Sequence, residues 1–314
     1  MKKFILHVLS VVILTFAIVA MALVAVLCNP AETFDDTYQS VIQKKYDTFM
    51  DIKEPKIIIV GGSSAGFGID EALLEEETGY KVANLGLHAG FGAIIPTELS
   101  KANIQEGDIV LLAYEWGWYA SGYFDKLGTE LVMSGFNDRF DMYAHLPVSL
   151  YPRFLGYTFD LARAKLDHTD SGGTYSAGSF DDQGRMILER TKTFTEYASN
   201  PEHYGSVDLK NKVIAEDVVA YLKDYVAFVE SKGASVYFVC CPYYEGAVKC
   251  EPEDFQAFKQ SAESLIGVDY ISDPERYAFP SDLLFDTIYH CNDVGTVVRT
   301  ELLVQDLENA GIIQ

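Results

Sequence analysis

The chain reads as a three-layer α/β sandwich with a mainly parallel sheet, preceded by one membrane helix and interrupted by a helical and irregular insertion. Three observations predict this. Short β-branched or apolar runs at residues 57–60, 80–85, 108–113 and 235–240 alternate with helical segments. Those runs are almost continuously apolar, as strands covered on both faces are. A glycine-rich turn follows the first run at once, where βα loops of such sheets carry their sites. A length of 314 residues suits one large domain of this kind or two small ones.

Taken in order, the first element is apolar. After Met1, Lys2 and Lys3, residues 4–28 contain no Asp, Glu, Lys or Arg, which is enough to span a bilayer as a helix. Lys2 and Lys3 before the run, with Asp35 and Asp36 after it, place the N-terminus in the cytoplasm and the body outside by the positive-inside rule. A cleaved signal peptide ending near Ala20-Met21-Ala22 is the alternative, but the run exceeds a usual signal core. Cys28 follows Ala25-Val26-Leu27, which lacks the small residues of a lipoprotein site. We therefore divide the chain into an anchor (1–28), a polar juxtamembrane stalk (29–54) and an extracytoplasmic domain (55–314).

Within the domain, 57–60 is too short for a helix and β-branched enough for a buried strand. A helix over 70–78 closes at Gly79, and 80–85 is the second strand. Residues 96–102 read as helix and 108–113 as the third strand. From 117 to 208 the alternation dissolves into aromatic-rich segments with breaks such as "SGGTYSAGSFDDQG", an insertion or cap. A helix over 215–232, with Val218, Leu222, Tyr225 and Val229 on one face and Gly233 at its end, restores the pattern. A strand at 235–240, a helix at 254–265, a short strand at 268–271 and a last helix at 293–309 finish it.

The formal charge of -22, from 46 acidic against 24 basic side chains, excludes a phosphate-tracking nucleic-acid surface. It also repels anionic lipid unless a local basic patch intervenes. Cys28, Cys240, Cys241, Cys250 and Cys291 are too few and irregular for a disulfide scaffold. One bridge, from Cys250 to Cys240 or Cys241, is left open, although Cys240 and Cys241 at a strand end read as core packing. No clustered His and Cys ligands occur, so neither a metal nor a cofactor is expected.

The turn in "KIIIVGGSSAGFG" carries the chemistry. Its glycine spacing fits neither G-x-G-x-x-G nor a P-loop, which sets phosphate binding aside. A strand-to-helix turn that exposes a serine fits better. Gly62-Ser63-Ser64-Ala65-Gly66 matches G-x-S-x-G and nominates Ser64; Gly61-Gly62-Ser63 aligned with a G-D-S opening nominates Ser63. The turn follows the first strand of the domain, and "FDTIYHCNDVGTVVRT" places Asp286 four residues before His290, ahead of the last helix.

That order resembles the SGNH (GDSL) hydrolases, whose nucleophile follows the first strand and whose acid and base share a late loop. The resemblance implies a flavodoxin-like sheet with Ser63 as nucleophile, His290 as base and Asp286 orienting it. It also implies oxyanion donors at Ser63 and at Gly86 in Asn84-Leu85-Gly86. Ala113-Tyr114-Glu115-Trp116 stands where the family has G-x-N-D, so Glu115 replaces a donating asparagine; Gly62 replaces the Asp of G-D-S, and D-x-x-H is one residue longer. Membrane-tethered relatives of this kind resemble alginate O-acetylation and teichoic-acid D-alanylation proteins.

The implied activity is ester hydrolysis or acyl transfer on a cell-envelope carbohydrate or polymer, with Ser63 Oγ within hydrogen-bond reach of His290 or slightly beyond it. A membrane acyltransferase is the implied partner. The alternative is a non-catalytic envelope-assembly module with the same fold, which Glu115 favours. Each residue also has a bland reading. Ser63 and Ser64, or His290 and Asn292, would only cap helices, and Asp286 would be a solvated charge. Tyr114, Glu115, Trp116 and Trp118 would form a sugar-stacking wall or pack beneath the insertion. His88 reads as structural, and Arg299 as an ion-pair or carbonyl-binding residue.

Overall fold

A computed structural model describes residues 2–28, 32–119, 127–167, 173–198 and 204–313. In chain order its elements are α1 (Lys2–Cys28), α2 (Glu32–Asp35), α3 (Val41–Asp51), β1 (Lys56–Gly61), α4 (Ser63–Gly66), α5 (Glu71–Thr78), β2 (Lys81–Asn84), α6 (Ile94–Ser100) and β3 (Ile109–Ala113). The insertion contributes α7 (Thr129–Phe136), α8 (Phe140–Tyr143), α9 (Tyr151–Asp167) and α10 (Phe194–Tyr197). The chain ends with α11 (Glu216–Ser231), β4 (Ser235–Phe238), β5 (Tyr243–Tyr244), α12 (Pro252–Ile266), β6 (Ala278–Phe279) and α13 (Asp293–Asn309).

The main sheet runs β2-β1-β3-β4, all parallel, with Ile57 opposite both Val82 and Ile109. Alternation along the strands feeds two cores. Ile58, Val60, Val110 and Leu112 face one, while Ile57, Ile59, Ile109 and Leu111 face the other. This period of two explains the continuously apolar sequence, since both faces are covered by helices. The predicted α/β sandwich is therefore the observed one. Because β1 is central, the turn that follows it sits mid-sheet at the carboxyl end.

Local signals hold where a cap enforces them. Asp70 accepts the Leu73 N–H at the start of α5, and Gly79 (φ 73°) ends it in the left-handed conformation. Three expectations are corrected. Residues 32–51 are not a stalk: Phe34, Tyr38, Val41, Ile42, Tyr46 and Phe49 are core residues, and α3 packs along β2. Its polar side chains hid the apolar stripe. The strand expected at 268–271 is reduced to a single parallel bridge between Phe238 and Tyr270. No Cys250 bridge forms; Cys240, Cys241 and Cys250 are free thiols, and Cys250 Sγ instead accepts the Leu209 N–H.

The part of α1 from Lys2 to Ala22 is long and apolar enough to cross a membrane. The insertion is more regular than its sequence suggested, since α9 alone runs for 17 residues.

Candidate active site

The turn after β1 is shaped by close approach. Gly62 precedes α4, and neither serine side chain caps that helix. Ser64 is fully buried, whereas Ser63 is half-buried, so Ser63 is the serine a substrate can reach. A Cβ at Gly62 would lie 2.7 Å from both Glu115 carboxyl oxygens and 2.6 Å from Trp118. The two motif departures, Gly62 for Asp and Glu115 for Asn, are thus one steric exchange: the glutamate fills the space that a side chain at 62 would occupy. A Cβ at Gly86 would lie 2.6 Å from the Ala65 Cβ and 2.8 Å from the Gly62 oxygen, so the end of β2 packs directly on the turn.

The late loop brings Asp286 and His290 together. Asp286 Oδ1 accepts from His290 Nδ1 at 2.7 Å, and both residues are buried. Thr287 Oγ1 takes the His290 backbone N–H, and the Phe285 N–H donates to the His290 carbonyl. This closed turn absorbs the extra residue of the D-x-x-x-H spacing. Burial pushes the Asp286 carboxyl up, but hydrogen bonds and charge from His290, with the Tyr175 hydroxyl, outweigh it and leave the pKa below the usual value. An ionised Asp286 holds the proton of His290 on Nδ1 and leaves Nε2 free to accept one.

Phe67 joins the two halves. Its N–H donates to the Ser63 carbonyl at 2.9 Å, and its ring stacks on the His290 ring at 4.4 Å between centroids and 7° between planes. Among the described residues Ser63 Oγ makes no hydrogen bond to the imidazole of His290.

The expected oxyanion donors are arranged differently from expectation. The Gly86 N–H donates to Asn84 Oδ1 at 3.0 Å, so it is engaged within its own turn. Asn84 Nδ2 donates to Ala65 O and Glu71 Oε1, both at 3.0 Å, which makes Asn84 a tie between β2, the turn and α5. The Ser63 N–H, at the first helical position, is free of intrahelical bonding. Glu115 Oε1 accepts the Ser64 N–H at 2.9 Å, and its Oε2 is buried without a partner, as is Ser64 Oγ. Burial raises the Glu115 pKa; the Ser64 N–H and the nearby His290 only partly offset it.

Sequence reasoning missed two insertion residues and one from the supposed stalk. Tyr175 Oη donates to Asp286 Oδ2 at 2.8 Å, completing the carboxylate's second oxygen. Buried Arg190 binds the carbonyls of Phe67 and Cys291, the latter at 3.0 Å, with Thr296 Oγ1 at 3.2 Å and Asp293 Oδ1 at 3.4 Å. It clamps the serine turn to the histidine loop. Tyr38 donates to the Leu87 carbonyl and meets Tyr175 edge-on at 5.3 Å. A glycine-rich stretch holding a lone tyrosine gave only a faint signal of this cover.

The remaining candidates sort plainly. Tyr114 is not a sugar-stacking residue: it is fully buried, pairs with Thr97 Oγ1 at 2.6 Å and stacks on Trp118, while Trp116 packs on Tyr270. Asn292 caps α13 by accepting the Gly295 N–H; His290 caps nothing. His88 Nδ1 accepts the Gly90 N–H, and burial followed by the His290 charge lowers its pKa to about 4. Arg299 reaches the Ser64 carbonyl from α13, a carbonyl-binding role under the turn. A cavity of about 480 Å³ between α5, the insertion and α13 lies beside this site, lined by Asp70, Arg185, Arg190 and Asp293 among others and by none of Ser63, Asp286 or His290. Among the described residues no cluster of His, Cys, Asp and Glu is placed to hold a metal ion.

No family model and no curated protein matches the chain. Among solved structures it is similar to the Bacillus subtilis protein YxiM, with 15% sequence identity and a TM-score of 0.37 over 83% of this chain. The similarity spans 58% of that protein's length.

Proposed function

We propose that this chain is a membrane-anchored, extracytoplasmic SGNH-like serine enzyme that hydrolyses or transfers an ester on a cell-envelope carbohydrate or polymer. Ser63 Oγ attacks the acyl carbonyl while His290 Nε2 takes its proton, later returning it to the leaving alcohol. Asp286, held by Tyr175, keeps the imidazole in the required tautomer. The Ser63 N–H is the first donor to the tetrahedral oxyanion, and the Gly86 N–H becomes the second on leaving Asn84. Water completes a hydrolase cycle; a sugar or polyol hydroxyl completes a transferase cycle. The observation that carries this reading is the 2.7 Å Asp286–His290 pair stacked, through Phe67, on the helix that begins with Ser63.

The test is labelling of the full chain by a fluorophosphonate, with hydrolysis of p-nitrophenyl acetate beside it. Wild type and Ser64→Ala label; Ser63→Ala does not, and its turnover falls by about 10³-fold or more, the scale of losing a triad nucleophile. Equal labelling of all three, or none of the wild type, defeats the proposal. The engaged Gly86 N–H and Glu115 at the third block favour a second reading, a non-catalytic module that binds an envelope partner such as a membrane acyltransferase. An unlabelled but folded wild type favours that reading.

A further inference from the structure

Outside α1, exposed large apolar side chains occur singly at several places, such as Ile187, Val213 and Val294, and as a group on one part of the insertion. Phe140 of α8 is 49% exposed, and Leu155 and Phe159 of α9 are 56% and 67% exposed. Leu155 and Phe159 lie one turn apart on the same helix face. Phe140 and Leu155 also line a wholly apolar groove of about 210 Å³ between α7, α8 and α9, floored by Met133 and Phe154. A patch of this kind on a strongly acidic chain calls for a partner.

The fold indicates which one. Helix α9 packs against α1, and Ala20 is the one residue of α1, among those whose exposure is described, that is half-buried rather than exposed. The contact therefore lies at the end of the apolar span from Lys2 to Ala22, where α1 meets the domain. Leu155 and Phe159 stay exposed with α1 in place, so α1 does not cover them. The charge is locally different as well: α9 carries Arg153, Arg163 and Lys165 against Asp160 and Asp167, in a chain whose overall charge is -22. Basic and apolar side chains on one helix beside a membrane span are the composition of an interfacial helix.

We propose that the face formed by Phe140, Leu155 and Phe159 seats in the headgroup and acyl boundary of the bilayer that α1 crosses. The insertion is then a second membrane contact. Because Tyr38, ten residues after α1, donates to the Leu87 carbonyl just past the carboxyl end of β2, this seating presents the carboxyl end of the sheet towards the membrane surface.

The test uses the full chain in phosphatidylcholine and phosphatidylglycerol vesicles, with and without lipid brominated near the carbonyl end of its chains. Phe159→Trp and Leu155→Trp add a fluorophore on the face, and Lys232→Trp adds one at the other end of the sheet, where α11 ends. The native Trp116 and Trp118 are buried and give the background. The face variants are expected to emit to the blue of Lys232→Trp and to lose at least about twofold more intensity to brominated lipid, as residues seated roughly 5–10 Å into the interface would. Quenching no stronger than that of Lys232→Trp overturns the proposal. A blue shift that is insensitive to bromine and grows with the protein-to-lipid ratio overturns it too, and assigns the face to a second copy.

Discussion

Strand β3 is flanked by two buried carboxyl groups, and their surroundings are opposite. Asp108, just before the strand, accepts the Lys56 ammonium at 2.9 Å, the Lys56 N–H at 3.0 Å and the Gln105 N–H at 2.9 Å, with both charged side chains wholly buried. Glu115, two residues past the strand, accepts the Ser64 N–H, and its Oε2 and the Ser64 hydroxyl, a weak contact of the same carboxylate, have no other partner. The amino end of the sheet is finished; the carboxyl end is not. A buried polar atom without a partner costs about 1–3 kcal/mol, so the incomplete end is tolerated where a ligand or a proton can complete it. The contrast separates a carboxylate that holds the fold from one at the candidate site.

Breaking the finished end has the largest expected effect. Asp108→Ala strands the Lys56 ammonium in the interior and lowers the unfolding free energy by about 3–5 kcal/mol. Replacing both partners, as Lys56→Met with Asp108→Leu, removes both desolvated charges and leaves only the Lys56 and Gln105 N–H groups without their acceptor, so it recovers about 1–3 kcal/mol of that loss. Urea denaturation of the full chain in detergent measures both. A double variant as weak as the single one would mean that the hydrogen bonds to backbone, not the charge pairing, make Asp108 structural.

At the unfinished end, Glu115→Gln has a smaller effect of the opposite sign. The pKa of Glu115 is raised in the folded protein, first by burial, so the folded state binds its proton more tightly than the unfolded chain does. Stability is then lost as pH rises from the unfolded carboxyl value of about 4.3 through the folded value. Glutamine keeps the acceptor for the Ser64 N–H and carries no charge. The variant should match wild type at acid pH and exceed it in stability at neutral pH. Parallel urea curves across that range check this, and a variant less stable than wild type at neutral pH would place Glu115 with Asp108 as a paired, structural charge.

The same contrast explains what was legible in the sequence. Strand interiors were readable because burial on both faces demands an unbroken apolar run, as in residues 57–60. Ser63 and Gly86 were visible as candidates because glycine turns follow the strands before them, and Asp286 and His290 because a short motif ahead of the last helix carries them. Tyr175 and Arg190 were not, since their partners lie 111 and 101 residues away in Asp286 and Cys291 and no short-range pattern encodes such a pairing. Residues 32–51 were misread for a related reason. The polar residues Lys44, Lys45 and Asp47 interrupt the run, yet Lys45 is buried, with Nζ 3.1 Å from Asn84 O and 3.8 Å from Glu71. A lysine held by partners supplied from elsewhere looks in sequence like a solvated one.

The smallest expected effect concerns the contact that completes the acid of the late loop. Asp286 shares features of both carboxyl groups that flank β3: it lies at the candidate site, yet both of its oxygens are engaged, one by His290 and one by Tyr175. Its lowered pKa means that its ionised form contributes stability above the unfolded aspartate value of about 3.9, and that this contribution is lost as pH falls through the folded value. Tyr175→Phe removes one of the hydrogen bonds that favour the ionised form and little packing, since Tyr175 is 37% exposed. The expected loss at neutral pH is about 1 kcal/mol, and the gap between variant and wild type should close as the pH falls through the folded value of Asp286, which lies below the usual aspartate value, and the carboxylate of both is protonated. If Tyr175 only covers the site, the gap will be the same at every pH. If it completes the carboxylate, the gap will follow Asp286 ionisation, and esterase activity against p-nitrophenyl acetate will fall by tenfold or less, roughly the kinetic equivalent of 1 kcal/mol.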